Sequence, residues 1–364
     1  MADQAIMGTG GGTLLPQLAR RAEAVAIPAL ACIAGFLAFA LFLLTQGKSP
    51  AAFLALVWQG GFGSAFALTN TAARAAPLLL AALCVALPAR LGLVVIGGEG
   101  AIVLGGLAAG ATGLVLGGLP GGLGLALMAL AAMVVGGIWI GLAGALRHYR
   151  GVNETIASLL LAYIAIALMN HLVEGPLRDP ESLNKPSTAP LADSLRVGEI
   201  PGIGVHWGLA FGVLACVIAW VLIERTTFGF AARIAGGNVR AAQVQGLPVG
   251  RLILGFTAFA GACAGLAGFF EVTAIHGAAN ASLAAGFGYT GILIAFLARH
   301  NPLVIIPVAF LLAGIEASSG LIQRRMDLPD ATVLVLQGFV FMAILMSDGL
   351  YGRLKPFVPE KWSH

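Results

Sequence analysis

The sequence predicts an all-α fold: a polytopic membrane helix bundle of about ten transmembrane helices with N- and C-termini cytoplasmic. Three observations carry this. Of 364 residues, 59% are hydrophobic and only 10% charged, where a soluble domain carries about 25% charged residues. The mean hydropathy is +0.94. Fifty-one glycines lie largely within long uncharged runs, and small residues of this kind let helix backbones approach closely in lipid.

A spanning helix needs about 20 mostly apolar residues. By that measure the spans fall near 24–45, 72–89, 99–118, 121–146, 155–173, 204–223, 251–272, 286–299, 302–322 and 331–347. The apolar stretch at 50–68 is interrupted by Gln59, Gly60, Gly61 and Gly63 and reads as an interfacial helix on the far side. The chain then divides into a cytoplasmic segment 1–23, a single transmembrane domain 24–347 and a cytoplasmic tail 348–364. The first residues are Gly-rich and polar without a cleavage signature, so the first apolar run reads as a retained helix.

Orientation follows from the basic residues. With the N-terminus inside, cytoplasmic segments hold Arg20, Arg21, Arg90, Arg147, Arg150, Arg225, Arg233, Arg240, Arg251, Arg299, Arg353, Lys355 and Lys361. Outer segments hold Lys48, Arg74, Arg178, Lys185, Arg196, Arg324 and Arg325, roughly half as many, as the positive-inside rule requires. Two long loops result. An outer one at about 174–203 is rich in proline and charge, suited to an extracytoplasmic partner, and a cytoplasmic one at about 224–250 has its own helical pattern.

Several function classes are excluded. The net charge of +4 is small and its basic residues form no nucleic-acid face. Cys32, Cys84, Cys216 and Cys263 all lie inside apolar runs, with no CxxC pair or Cys/His cluster, so neither a metal site nor a disulfide framework is indicated. Gly47-Lys48-Ser49 resembles the end of a phosphate-binding loop, but its leading glycine position is Phe42 and no strand precedes it. No catalytic constellation stands out. A stand-alone secondary transporter or channel stays as the alternative from another class; it would need a proton or sodium relay, for which Glu99, Glu271 and Glu316 are few and scattered.

Three stretches carry information. Residues 88–100 place Gly97, Gly98 and Gly100 around Glu99 between two apolar runs. This suggests non-helical backbone at membrane depth, which survives only where protein or an aqueous cavity covers it. Glu99 is then an intramembrane ionisable group structuring a broken helix, or simply an acidic residue in the first turn of the next span. At 147–156, Asn153 can cap a helix and Glu154 sits in its first turn. At 224–247, Gly236-Gly237 breaks the chain, Asn238 can cap a short helix to about Gln245, and Gly246 with Pro248 stops it. Such a helix can dock into a partner's groove, or be an ordinary positive-inside loop.

The last stretch resembles the cytoplasmic coupling loop of bacterial ABC-importer permeases of the branched-chain amino acid, ribose and nucleoside class. The matching residues are Arg225, Thr226, Gly229, Arg233, Gly236, Asn238, Ala241, Ala242, Gly246 and Leu247, with Gly237 an unusual neighbour. Gly151-Val152-Asn153-Glu154-Thr155-Ile156, continuing to Ala165, and the later Gly175-Pro176-Leu177 are similar to the nucleoside (simple-sugar) branch. Ile96-Gly97-Gly98-Glu99-Gly100 matches that branch's glycine-rich motif in part, with Val95 in place of its Asn and Ala101 in place of its Gln.

The resemblance implies a permease subunit, itself no enzyme, forming half of a transmembrane path for a small polar solute, a nucleoside first, with a pentose, another simple sugar or a purine base as alternatives. It implies a second homologous permease subunit, a cytoplasmic ATP-binding-cassette ATPase, and an extracytoplasmic substrate-binding protein or lipoprotein as partners. ATP and Mg would be held by the ATPase, with no cofactor on this chain. Arg225, Gly229, Arg233, Gly236, Asn238, Ala241, Ala242 and Gly246 are expected in the coupling loop; Glu99, Asn153, Glu271, His276 and Asn280 are the candidates for the solute path.

Overall fold

The structure, a computed structural model, describes residues 14–116, 120–182 and 185–348. The first thirteen positions of the expected N-terminal segment and the expected tail from 349 lie outside the described residues. The chain forms two compact units, one of residues 1–54 with 323–364 and one of residues 55–322.

The helices in chain order are α1 (Leu14–Thr45), α2 (Pro50–Gly61), α3 (Ala65–Ala89), α4 (Gly98–Val115), α5 (Gly121–Arg150), α6 (Glu154–Glu174) and α7 (Gly208–Arg225). There follow α8 (Thr227–Gly237), α9 (Val239–Val244), α10 (Val249–Phe270), α11 (Phe287–Leu297), α12 (Pro302–Ala317), α13 (Ser319–Met326) and α14 (Ala331–Asp348). Among the described residues eight helices are long and apolar enough to cross a membrane, with α12 and α13 counted as one, and two shorter apolar helices accompany them.

Two expected spans are corrected. The one placed at 72–89 begins at Ala65, because Ser64 caps it with a side-chain bond from the Ala67 N–H at 3.1 Å, and the helix before it ends at Gly61. The expected span at 286–299 is the 11-residue helix α11, about 16 Å long at 1.5 Å per residue. That is half of a hydrocarbon core of about 30 Å. Gly286, at φ +89°, breaks the chain just before it.

In the first unit α1 packs on α14. Gly35 faces the Val340 backbone so closely that an added Cβ would lie 2.7 Å from its Cα. The Phe39 ring is fully buried, 5.0 Å from Phe53 and 6.5 Å from Phe339.

In the second unit α3, α4 and α10 form the buried middle. Helices α5 and α10 approach at glycines: a Cβ on Gly261 would lie 2.2 Å from the Gly136 carbonyl, and one on Gly265 2.1 Å from that of Ala132. These are membrane-type contacts in which backbone meets backbone. Arg147, His148 and Arg150 occupy the last turn of α5, where a positive charge complements the helix dipole, and Gly151 at φ +66° ends it. Helix α10 runs on into one π-helical turn, Glu271–His276.

The loop between α6 and α7 holds one short 3-10 turn, Asp193–Leu195, and is tied down along its length. Thr188 exchanges two hydrogen bonds with Ala279, Leu191 N–H donates to the Gly277 carbonyl at 2.8 Å, and Val197 N–H to that of Thr273 at 3.1 Å. Leu195 is fully buried against α5 at Gly124.

Close helix packing should make Gly265→Val unfold the protein in detergent at lower temperature, with a loss near 3 kcal/mol from overpacking. Gly255→Ala, with nothing within 4 Å of its new Cβ, should leave the melting temperature unchanged or raise it, since alanine is the better helix former by about 1 kcal/mol. Fluorescence-detected thermal unfolding separates the two.

Candidate coupling surface and membrane path

The loop after α7 folds into two short helices, each placed by a cap. Thr226 accepts the Gly229 N–H at 3.3 Å and donates its hydroxyl to the Leu222 carbonyl at 2.5 Å, opening α8. Asn238 accepts the Ala241 N–H at 3.0 Å, opening α9, and Gly246 at φ +77° ends the turn that follows. Ala232, Ala235 and Ala242 are buried beneath the pair. Phe228, Phe230, Val239 and Val244 point outward, Val244 with 89% of its surface exposed. Between α8 and helices α7 and α10 lies an apolar groove of ≈ 600 Å³, lined in part by Leu222, Phe228, Arg251 and Phe259.

Two arginines of this region share one carboxylate, and a third lies on an aromatic ring. Arg233 Nη2 sits 2.8 Å from Glu224 Oε2, and the other oxygen of Glu224 is 3.6 Å from Arg90 Nη2. The Arg225 guanidinium lies over the Trp220 ring at 5.2 Å. Gly236 rests on the backbone at Arg90, where a Cβ would meet the Arg90 carbonyl at 2.4 Å.

Arg90 stands at the start of a helix interruption. Between α3 and α4 the chain turns at Ala89–Gly92 and runs without helix through Leu93–Ile96. Leu93, Val95 and Gly97 are buried, and polar side chains at the start of α6 satisfy the intervening backbone. Thr155 donates its hydroxyl to the Val94 carbonyl at 2.8 Å, Ser158 accepts the Ile96 N–H at 3.1 Å, and Glu154 takes the Val94 N–H at 3.4 Å. Glu154 is held in turn by Arg147 at 3.4 Å. Gly97 crosses the Ser158 carbonyl, which a Cβ would reach at 2.3 Å.

Glu99 lies just beyond, 1% exposed, in the first turn of α4. Both carboxylate oxygens are engaged: Oε1 accepts the Gly286 N–H at 2.7 Å and Oε2 the Gly288 N–H at 2.6 Å. These are the opening amides of α11, so the carboxylate caps that helix while standing in the first turn of α4. At the far end of α11, Arg299 and His300 both adopt positive φ, 51° and 57°, and Arg90 Nη2 donates to the His300 carbonyl at 3.2 Å. Burial, helped by the Arg90 charge, pushes the His300 imidazole down to about 4. Burial also lowers Arg90, and Glu224 opposes that.

The remaining path candidates divide. Glu271 and His276 open and close the π-turn of α10, Glu271 buried and its Oε2 3.5 Å from His276 Nε2. Arg74 and Glu99 are the other charges in the field of Glu271. Asn280 follows, its backbone paired with Ser187 and its side chain taking the Ser282 N–H at 2.9 Å, while Lys185 reaches the Ser282 hydroxyl. Asn153 is not brought to this group. It caps α6 from the coupling end, accepting the Thr155 and Ile156 N–H groups at 2.9 and 3.1 Å.

Residues 67–345 match the family described as branched-chain amino acid transport system / permease component. The chain belongs to this permease family. It is similar to the glucose ABC transporter permease protein TsgB13 of Haloferax volcanii, 32% identical over 88% of this chain and 87% of the relative. It is also similar to the guanosine ABC transporter permease protein NupP of Bacillus subtilis, 29% identical over 93% and 99%, and to the nucleoside ABC transporter permease protein NupB of Lactococcus lactis, 24% identical over 87% and 90%. The chain is therefore a multi-pass ABC-transporter permease of the plasma membrane.

Sequence reading of the permease missed Arg90, Glu224, Ser158 and the His300 carbonyl as parts of one connected region. Two signals were available: an arginine straight after Pro88-Ala89 at a helix break, and an acidic residue, Glu224, at an otherwise basic membrane boundary.

Two outcomes follow. Ser158→Ala should cost about 1–3 kcal/mol in thermal unfolding by leaving the Ile96 N–H unpaired, more than Ser282→Ala, whose hydroxyl is exposed. The His300 ring should stay neutral in the folded permease from pH 8 to pH 5, its imidazole NMR shifts moving only toward about 4. An unfolded imidazole protonates at its ordinary 6.5. The stability tied to this neutral ring is thus present above 6.5 and is lost as pH falls from there through 4.

Proposed function

We propose that this permease forms half of the transmembrane path for a nucleoside, with a second related permease forming the other half. In this reading α8 and α9 face the cytoplasm and receive an ATPase that holds ATP and Mg. The loop at 174–207 faces outward, toward a substrate-binding protein or lipoprotein. The observation that carries the reading is the pair of capped helices α8 and α9, with Phe228, Phe230, Val239 and Val244 left exposed beside Arg233 and Arg240. A helix with apolar anchors and flanking cations is suited to a groove on a partner.

In this reading Glu271 and His276 meet the solute near the outer end of the path, since a carboxylate and an imidazole can accept from and donate to sugar hydroxyls. Glu99 is not proposed to touch solute, because it is 1% exposed and each of its oxygens is already turned to a backbone amide. Relatives named for guanosine and for nucleosides support a nucleoside. The relative named for glucose supports a simple sugar as the second reading.

Vesicles containing the permease with its partner subunits should accumulate guanosine only when ATP is supplied. Arg233→Glu places a carboxylate beside Glu224 and should lower that uptake by about tenfold, some 1.4 kcal/mol of coupling. Uptake that continues without the ATPase would instead mark a stand-alone transporter. Competition by glucose and not by guanosine would replace the solute while leaving the permease role intact.

A further inference from the structure

Helix α11 is half the length of a span, yet it is held by charge at both ends from a single ten-residue stretch. Glu99 accepts its first amides at 2.7 and 2.6 Å, and Arg90 donates to the carbonyl of the turn that closes it at 3.2 Å. A helix carries a partial positive charge at its N-terminus and a partial negative charge at its C-terminus, so an anion at the first and a cation at the second both favour the grip. The backbones are in contact as well: a Cβ on Gly288 would lie 2.2 Å from the Glu99 nitrogen, and one on Gly291 2.8 Å from the carbonyl carbon of Ala81.

The same arginine touches the coupling loop. Its carbonyl supports Gly236 of α8, and its guanidinium faces Glu224, which Arg233 of α8 holds at 2.8 Å. Arg90 Nε is buried without a hydrogen-bond partner. An unpaired buried donor is costly, and Nε with Nη2 forms the fork that a carboxylate takes at two points. Glu224 lies 3.6 Å from Nη2, outside hydrogen-bond reach, and is the nearest charge that could close on this fork.

We infer that Arg90 and Glu99 are positioning residues that clamp α11 at its two ends, so that α11 and the interruption at 91–97 shift as one body when α8 moves Glu224 onto Arg90. This rests on the importer reading above, because the movement of α8 is driven by an ATPase. The clamp links the coupling surface to Glu99, and through Glu99 to the start of α4, without a continuous spanning helix between them.

The test uses the assembled transporter in vesicles with guanosine as probe. Arg90→Met should lower solute moved per ATP hydrolysed by about tenfold while hydrolysis itself persists, and Arg90→Lys, which keeps a charge but loses the fork, should fall between. A wild-type ratio in Arg90→Met would overturn the clamp. Should that variant fail to assemble, spin labels in the otherwise unaltered chain decide the matter. The distance between labels at Val94 and Tyr289, both partly exposed, should stay fixed between the ATP-free and ATP-trapped states, while the distance from either to Ile138 on α5 changes. A 94–289 distance that changes as much as the 138–289 distance would overturn the proposal. Absence of any ATP-driven uptake by the unaltered complex would count against the importer reading itself and is visible before any variant is made.

Discussion

Backbone that leaves the helix inside a bilayer has no water to bond, so each of its amides and carbonyls must find a partner in the protein. In this permease the non-helical run Leu93–Ile96, between two apolar helices, has that requirement where it is buried, and much of the surrounding polar chemistry answers it. Thr155 and Ser158 meet it from the start of α6, and Glu154 is steadied for the purpose by Arg147. The glycines at 97, 100 and 288 keep the crossing chains close enough for those bonds to form. Polar residues that would be costly singly in an apolar bundle are tolerated because they are spent on backbone.

A second interruption, at 277–286, mirrors the first, and the two are locked to one another through Glu99. Helix α11 starts where Glu99 ends the interruption and finishes where Arg90 begins it. The polar loop at 175–207 holds the other side of the second interruption through Thr188 and Leu191, and the π-turn before it through Val197. The two broken segments therefore connect the α8–α9 loop at one end with the polar loop at the other, using short elements in place of long rigid helices. Short elements gripped at their ends are the parts of a packed bundle most able to shift as units.

Much of this was legible in the sequence. Composition and run length gave the helical membrane class, and Asn238 with Gly246 marked α9 because caps and stops act through their immediate neighbours, whereas α8, opened by Thr226, was read only as part of the loop. The glycines around Glu99 signalled non-helical backbone for the same local reason. Length alone misjudged α11: an apolar run counts toward a span whether it is helical or extended, and only Gly286 hinted at the break. The links from Arg90 to Glu224 and His300, and from Glu99 to Gly286 and Gly288, join positions more than a hundred residues apart and have no sequence spacing to read. The cap that the sequence offered at Asn153 is present, through its bonds to the Thr155 and Ile156 amides.

The central claim is that both interruptions are sealed by polar groups of this chain, side chain and backbone, and not by water. Site-resolved hydrogen exchange of the permease in lipid nanodiscs tests it most directly. The amides of Ile96, Gly286 and Gly288 should exchange as slowly as those in the middle of α3, despite lying at or beside breaks in helix. Exchange at these three amides as fast as at the exposed turn residue Asn153 would contradict the account.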